Sequence, residues 1–433
     1  MKTSRDVAGG GARFSGAITL NLPSNWQRLA IILLALALPA AYSYRVLRTY
    51  FASRAANGSD RVELERAVRL APGNSEYHHR LGRYLTLVAQ DLTAGMSEFR
   101  TAAALNSHVA AYWLDLARGY QFLGDRQQQK QALERAVLAD PRTPEVTWEA
   151  ANFYLVQGDV ERALRQFRVV VENDRERALS ALRLSWRATG NLQPIFDHVL
   201  PPKPEAHAQL LYLLLVEEKI SAAAEVWRRL IALQQPFDTR LALPYLQYLL
   251  DRRETDRARS VWEDLLNLDE KLHSYRRHSD LITNGSFEED ILNGGFDWRY
   301  TPIANLTVTI DTTEFRSGLR SLALAFDRQS GHDPGVFQFV AVEPNAEYEF
   351  AAHLRARDLE GASGPRFAIT DAYDNHTYAM TEEVTGSTAW RRSAAEFRTR
   401  PDARLVLVRL VRVPRHTLLR GTLWLDDISL KKK

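Results

Sequence analysis

One short segment concentrates side chains suited to recognition chemistry. Asp371, Tyr373, Asp374, Asn375, His376 and Tyr378 fall within eight consecutive residues. Tyrosine and histidine rings can stack on the C–H faces of a sugar ring, while aspartate and asparagine can bond its hydroxyls. Tyr373, Asp374, Asn375, His376 and Tyr378 are therefore the candidate glycan-binding set. The competing reading is a polar hairpin whose aromatic residues pack back on the protein.

Other chemistry is sparse. The chain has no cysteine, which removes thiolate nucleophiles, disulfides and cysteine-ligated zinc or iron–sulfur sites. Its eleven histidines are scattered; His78 with His79, and His273 with His278, lack ligand spacing. No Gly-x-Ser-x-Gly elbow, His-Glu-x-x-His helix or phosphate-binding glycine loop occurs. No catalytic residue is assigned, and the chain reads as a non-enzyme. A glycan hydrolase with an unrecognised pair of carboxylates stays as an alternative. The formal net charge of +3 gives no field of the kind nucleic-acid binding needs.

These residues must be positioned by larger elements, and the first is apolar. Leu29 to Tyr44 carries no charge over about 16 residues, roughly 24 Å as a helix. Trp26 before it and Tyr42 and Tyr44 after it suit the two membrane interfaces, Arg28 can snorkel outward, and a membrane helix tolerates Pro39. A transmembrane anchor is expected over 26–48, preceded by a cytoplasmic tail, 1–25, expected to be disordered. A cleaved signal peptide is the competing reading, with small residues at Ala40 and Ala41. Flanking charge does not orient the helix: Lys2, Arg5, Arg13 and Arg28 on one side balance Arg45, Arg48, Arg54 and Arg61 on the other.

From about 60 to 270 the pattern is helical and repeats. Phe99, Leu133 and Phe167 are each 34 apart, as are Tyr120 and Tyr154, Gly124 and Gly158, and Asp125 and Asp159. Ala223 and Ala258, Trp227 and Trp262, and Leu230 and Leu265 recur at 35. This period, with Trp113, Leu116, Ala117, Tyr120, Gly124, Leu133, Ala136 and Pro141, resembles the tetratricopeptide repeat. An earlier unit with Leu81, Gly82 and Phe99 carries about one extra residue in its turn, and Leu64 to Pro72 reads as the second helix of a truncated first unit. Prolines interrupt the pattern between Arg177 and Pro204. The resemblance implies an α-α superhelical solenoid over 49–277 that binds protein segments in a groove formed by first helices. In its register Glu76, His79, Arg83, Arg118, Gln121 and Asn152 are the partner-groove candidates. Ordinary solvated positions are the alternative.

After His278 the period changes to two. Tyr348, Phe350, Ala352, Leu354 and Ala356 alternate with Glu349, His353, Arg355 and Arg357. Short strands separated by Gly, Pro, Asn and Asp predict an antiparallel β-sandwich over 278–433. The opening Asn284, Gly285, Phe287 and Glu288, then Gly295, Phe296 and Trp298, resembles carbohydrate-binding jelly-roll modules of the galactose-binding-like fold, as do Ser317, Gly318, Trp390 and the closing strand Gly421 to Leu430. The resemblance implies a structural calcium between first and last strands, with Glu288 and Asp426 as ligands and Asp427 beside them. The other reading is that Asp426 and Asp427 cap the strand end. Trp298, Trp390 and Trp424 match core positions.

The expected fold class is multidomain α and β: a transmembrane helix, a tetratricopeptide-like solenoid and a jelly roll. The combination resembles accessory proteins of exopolysaccharide or cell-envelope assembly. It implies a scaffold on the bacterial inner membrane with most of the chain in the periplasm, bound to a protein partner and to a polysaccharide or a second protein. A carbohydrate-binding surface receptor is the alternative.

Overall fold

A computed structural model of the 433-residue chain describes residues 24–275, 280–327, 334–414 and 417–433. The expected N-terminal tail lies outside them apart from Ser24 and Asn25. The chain divides into two compact units, Met1–Phe153 and Tyr154–Lys433.

The first unit is helical: α1 (Asn25–Ala56), α2 (Arg61–Leu70), α3 (Ser75–Leu87), α4 (Leu92–Leu105), α5 (Ala110–Phe122), α6 (Arg126–Ala139) and the start of α7 (Pro144–Val156). Helix α1 is long and apolar enough to cross a membrane. It does not end where the apolar stretch ends. Its last turns bury Ala52, Ala55 and Ala56, and the latter two pack with Ala67 of α2 and Tyr77 of α3. The boundary expected at residue 48 therefore falls inside one unbroken helix. The truncated first repeat gains its missing first helix from the end of α1.

The period of 34 has a local cause. Asp91, Asp125 and the second unit's Asp159 each cap a second helix, accepting from the backbone N–H of Ala94, Gln128 and Arg162. Gly124 and Gly158 precede two of these caps with left-handed backbone, φ +74° and +77°. Gln90 takes that place in the earlier unit. There the link between helices is Val88–Asp91, one residue longer than Leu123–Asp125. Gly82 admits the Phe99 ring, since a Cβ there would lie 2.7 Å from two ring carbons.

The second unit continues with α8 (Val160–Asn173), α9 (Arg175–Thr189), α10 (Leu192–His198), α11 (Pro204–Val216), α12 (Ile220–Ala232), α13 (Leu243–Asp251) and α14 (Thr255–Leu268). The irregular stretch is a shortened repeat. Helix α10 has seven residues, with Pro194 in its first turn, and Pro204 starts α11.

The sandwich follows: β1 (Leu306–Asp311), β2 (Ser321–Phe326), β3 (Phe337–Ala341), β4 (Glu347–Gly361), β5 (Pro365–Asp371), β6 (Thr377–Met380), β7 (Gly386–Arg398), β8 (Leu405–Arg412) and β9 (Leu419–Lys432). Two antiparallel sheets, β1-β2-β9-β4-β7 and β3-β8-β5-β6, enclose a core that includes Phe287, Trp298, Tyr348, Phe350, Phe367 and Leu425. The opening motif is structural. A Cβ on Gly285 would lie 2.0 Å from the Ile428 carbonyl, so glycine lets the entering segment lie along β9. The Asn284 carbonyl accepts from Trp298 Nε1 at 3.1 Å.

Candidate functional site

In the first unit, α3, α4 and α5 enclose an open groove of about 620 Å³. Phe99, Leu92 and Gly119 contribute to its lining, with Arg83, Leu87, Arg118, Gln121 and Phe122 around them. A Cβ on Gly119 would lie 2.0 Å from Met96 Sδ, so glycine sets the close approach of α5 to α4. Phe122 is 88% exposed and Leu87 68%. Each is the last residue of a first helix, and together they hold two large apolar side chains in water beside the groove.

The charged groups are held by a network. Arg118 reaches Glu145 at 2.7 Å, Glu149 at 3.1 Å and Asp115 at 3.2 Å. Partial burial works against the guanidinium's charge, but the bonds to Glu145 and Glu149 outweigh it and raise its pKa. Asp115 also meets His79 Nε2 at 2.8 Å. The His79 ring is buried between Phe99 and Tyr112, with ring centres 5.7 and 4.7 Å away.

Of the six groove candidates, Arg83, Arg118 and Gln121 come together. Three do not line this groove. His79 lies in the repeat interior and supports Asp115 from below. Glu76 is taken up by Arg80 at 2.8 Å and the Tyr112 hydroxyl at 3.3 Å. Asn152 donates to the Trp148 carbonyl of its own helix. The sequence reading missed Thr86, Leu87 and Phe122. The available signal was that α3, α5, α7 and α11 end on exposed apolar residues, Leu87, Phe122, Val156 and Val216.

In the second unit the segment 371–378 runs from the last residue of β5 through a short link into β6, and its members divide. The Tyr373 hydroxyl donates to the Leu250 carbonyl at 3.0 Å and lies 3.2 Å from Thr255 Oγ1, with the Arg253 guanidinium 4.9 Å from the ring centre. Tyr378 bonds Asp371 and leans on Phe397, whose ring centre is 5.7 Å away. One ring is docked on the helices and the other backs onto the core, the arrangement of the polar-hairpin reading. Asp374, Asn375 and His376 are the exposed tip, with Asp374 paired to Arg400.

Tyr373 belongs to an interface between helices and sandwich. Arg299 bonds Gln247 and the Gly295 carbonyl, and Tyr275 bonds the Asp290 carbonyl. Trp262 packs edge-on against Phe296 at 6.2 Å, and a Cβ on Gly294 would lie 2.7 Å from Leu243.

No protein-family model matches the sequence. No curated protein matches it. Among solved structures the chain is similar to a CBM4 domain, at 13% identity, with 35% of this chain and 99% of that one covered and a TM-score of 0.28. It is similar to a family 16 carbohydrate-binding module at 19% identity, covering 35% and 99%, with a TM-score of 0.26. It is similar to the MamA protein at 11% identity, covering 44% and 91%, with a TM-score of 0.25.

The calcium expectation does not fit the donors present. Glu288 Oε1 accepts from the backbone N–H of Leu319 at 2.9 Å and Arg320 at 3.2 Å. Asp426 Oδ2 accepts from Arg316 and Ser317 N–H at 2.8 and 3.1 Å, and Oδ1 from Asp427 N–H. Burial pushes the Asp426 carboxyl up, opposed by these bonds. Both carboxylates grip one loop, 316–320, through N–H donors where a cation needs oxygen acceptors. A Cβ on Gly318 would lie 2.0 Å from Glu288 Oε1. Among the described residues no cluster of three or more acidic, His or Cys groups could hold a metal.

Of the three tryptophans, Trp298 is in the core. Trp390 is half-buried on β7. Trp424 is buried outside the core, on the face of β9 opposite Leu423 and Leu425. Its Nε1 donates to Asp311 at 2.8 Å, and the Arg357 guanidinium lies 4.9 Å from its ring centre.

Proposed function

We propose that this protein is a membrane-tethered adaptor. The groove of the first unit takes a segment of a partner protein, and the sandwich, braced on α13 and α14, carries a second recognition surface for a glycan or another protein. The observation that carries the reading is the pairing of Phe122 and Leu87, exposed and apolar, with Arg83, Arg118 and Gln121 around one groove. A partner's apolar side chains would cover the former while its polar backbone meets the latter. Helix α1 would hold this surface at a bacterial inner membrane with the folded part in the periplasm, in exopolysaccharide or cell-envelope assembly. No bond-breaking step is assigned to any residue.

The test is a photo-crosslinking amino acid at Gln121 in the full chain, expressed in membranes of its own host. A discrete adduct at Gln121, lost with Phe122→Asp and absent from a probe at the exposed Lys130 of α6, supports the groove. Equal labelling at both positions, or none at Gln121, overturns it. A carbohydrate-binding receptor is the second reading, favoured by the exposed tip Asp374, Asn375 and His376. It requires glycan binding by the full chain that His376→Ala weakens and Phe122→Asp leaves intact.

A further inference from the structure

The apolar surface of α1 continues past the stretch that would fill a bilayer. At 1.5 Å per residue, Asn25 to Tyr44 spans about 30 Å, the thickness of the hydrocarbon core. Beyond Tyr44, Val46, Leu47, Tyr50 and Phe51 form a stripe one helical face wide, each between 47% and 56% exposed. The opposite face of the helix buries Ala52, Ala55 and Ala56 in the turns that follow. Among the described residues nothing covers the stripe. It lies roughly 3–10 Å past the core edge, within and just beyond the headgroup layer.

Charge on α1 has one sign, while on α2 Glu65 pairs with Arg61 at 2.7 Å and with Arg69 at 3.6 Å. Helix α1 contains no acidic residue, and Arg45, Arg48 and Arg54 all lie beyond Tyr44. Arg48 Nε donates to the carbonyl of Leu70, the last residue of α2, at 2.6 Å. That bond sets the C-terminal end of α2, with the exposed Arg69, level with Arg48, about one turn past Tyr44. A basic collar of Arg45, Arg48 and Arg69 thus surrounds the base of the apolar stripe, at the height of lipid phosphates.

We infer that the first helix pair rides in the headgroup layer of an anionic bilayer, with Val46, Leu47, Tyr50 and Phe51 against lipid and Arg45, Arg48 and Arg69 on phosphates. The occupant follows from continuity: the stripe belongs to the helix that would span, begins where the span ends and has Arg45 and Arg48 beside it on a helix with no acidic residue. Because α1 runs unbroken into the packing with α2, the lipid contact also fixes the angle of the first repeats to the membrane, with no linker to relax it. The inference rests on α1 being a membrane span.

The test uses the full chain in nanodiscs of phosphatidylcholine mixed with phosphatidylglycerol. The absence of cysteine allows single nitroxide labels at Leu36→Cys, Leu47→Cys, Phe51→Cys and Glu63→Cys. Collisions with oxygen report lipid, and collisions with a water-soluble nickel chelate report solvent. The expected result is an oxygen-to-nickel ratio several-fold higher at Leu47 and Phe51 than at Glu63, with Leu36 higher still. Arg45→Glu with Arg69→Glu lowers the ratio at Phe51. If Leu36 reports lipid while Leu47 and Phe51 match Glu63, the inference is overturned and the span survives. If Leu36 reports water, the span fails, and the inference with it.

Discussion

The Tyr373 hydroxyl donates to the Leu250 carbonyl across the contact between sandwich and helices, at 3.0 Å, with Thr255 Oγ1 at 3.2 Å. The bond adds a second donor to a carbonyl at the end of α13 that already accepts from Arg253 N–H at 3.0 Å, and places the ring beneath the Arg253 guanidinium. Burial raises the phenol's pKa, opposed by Thr255 and Arg253, so the donor stays protonated through neutral pH.

Removing that hydroxyl separates interface from sugar platform. Tyr373→Phe is expected to cost about 1 kcal/mol, and Tyr373→Ala roughly 2 kcal/mol, of stability. His376→Ala, at the exposed tip, should stay within about 0.5 kcal/mol of the parent. Thermal unfolding, with hydrogen exchange read at the amides of Arg253 and Glu254, checks both. A Tyr373→Ala variant with parental stability and protection would return the ring to the list of free platforms.

Gly82 is the second test, because propensity and packing oppose each other there. Alanine in a helix interior ordinarily gains about 1 kcal/mol over glycine. Here the new methyl would meet the Phe99 ring at 2.7 Å and the Gly95 carbonyl at 3.1 Å. Neither is the loose end of a side chain, so Gly82→Ala should destabilise by roughly 1–3 kcal/mol. Phe99→Leu in the same chain should recover part of the loss, measured by a double-mutant cycle in urea.

The distance between partners explains which residues could be read from the sequence. The capping aspartates Asp91, Asp125 and Asp159 act on groups three residues away, so the repeat announced itself. Arg83, Arg118 and Gln121 followed from that register. His79 did not, because the Phe99 and Tyr112 rings that bury it come from two other helices. Tyr373 was less legible still, with partners 118 and 123 residues away. The resemblance gave Trp424 a core position, whereas it is buried on the outer face of β9. What covers it, Asp311 and Arg357, comes from β1 and β4.

Asp426 tests whether backbone donors hold the sandwich closed without a cation. Its carboxylate is fully buried and serves three N–H groups, of Arg316, Ser317 and Asp427. Asp426→Ala strands those donors and is expected to cost roughly 2–4 kcal/mol, with Asp426→Asn milder because one acceptor remains. Neither chelator nor added calcium should move the melting temperature, since a ligand stabilises only a fold it binds. A calcium-dependent rise in melting temperature, lost in Glu288→Gln, would restore the metal reading.

Asp297 makes stability depend on pH in the direction opposite to most carboxylates. It is fully buried in the loop that carries Phe296 and Trp298; Oδ2 accepts from Leu292 N–H at 2.7 Å, while Oδ1 has no hydrogen-bond partner among the described residues. Burial pushes its pKa from 3.8 up to about 7, against the pull of the Leu292 and Trp298 N–H groups and Arg299. Below pH 3.8 the group is protonated in folded and unfolded chains alike, and its burial costs little. As pH rises toward 7 the unfolded chain ionises first, so stability falls; above 7 the folded group ionises too, and the loss levels off. The swing is at most about 4 kcal/mol for a shift of this size. Asp297→Asn should remove it, leaving the variant more stable than the parent at pH 8 and no more stable at pH 4. Urea unfolding at both pH values decides the matter: a parent whose stability at pH 8 equals or exceeds that of the variant would mean that Asp297 is held ionised by partners other than these.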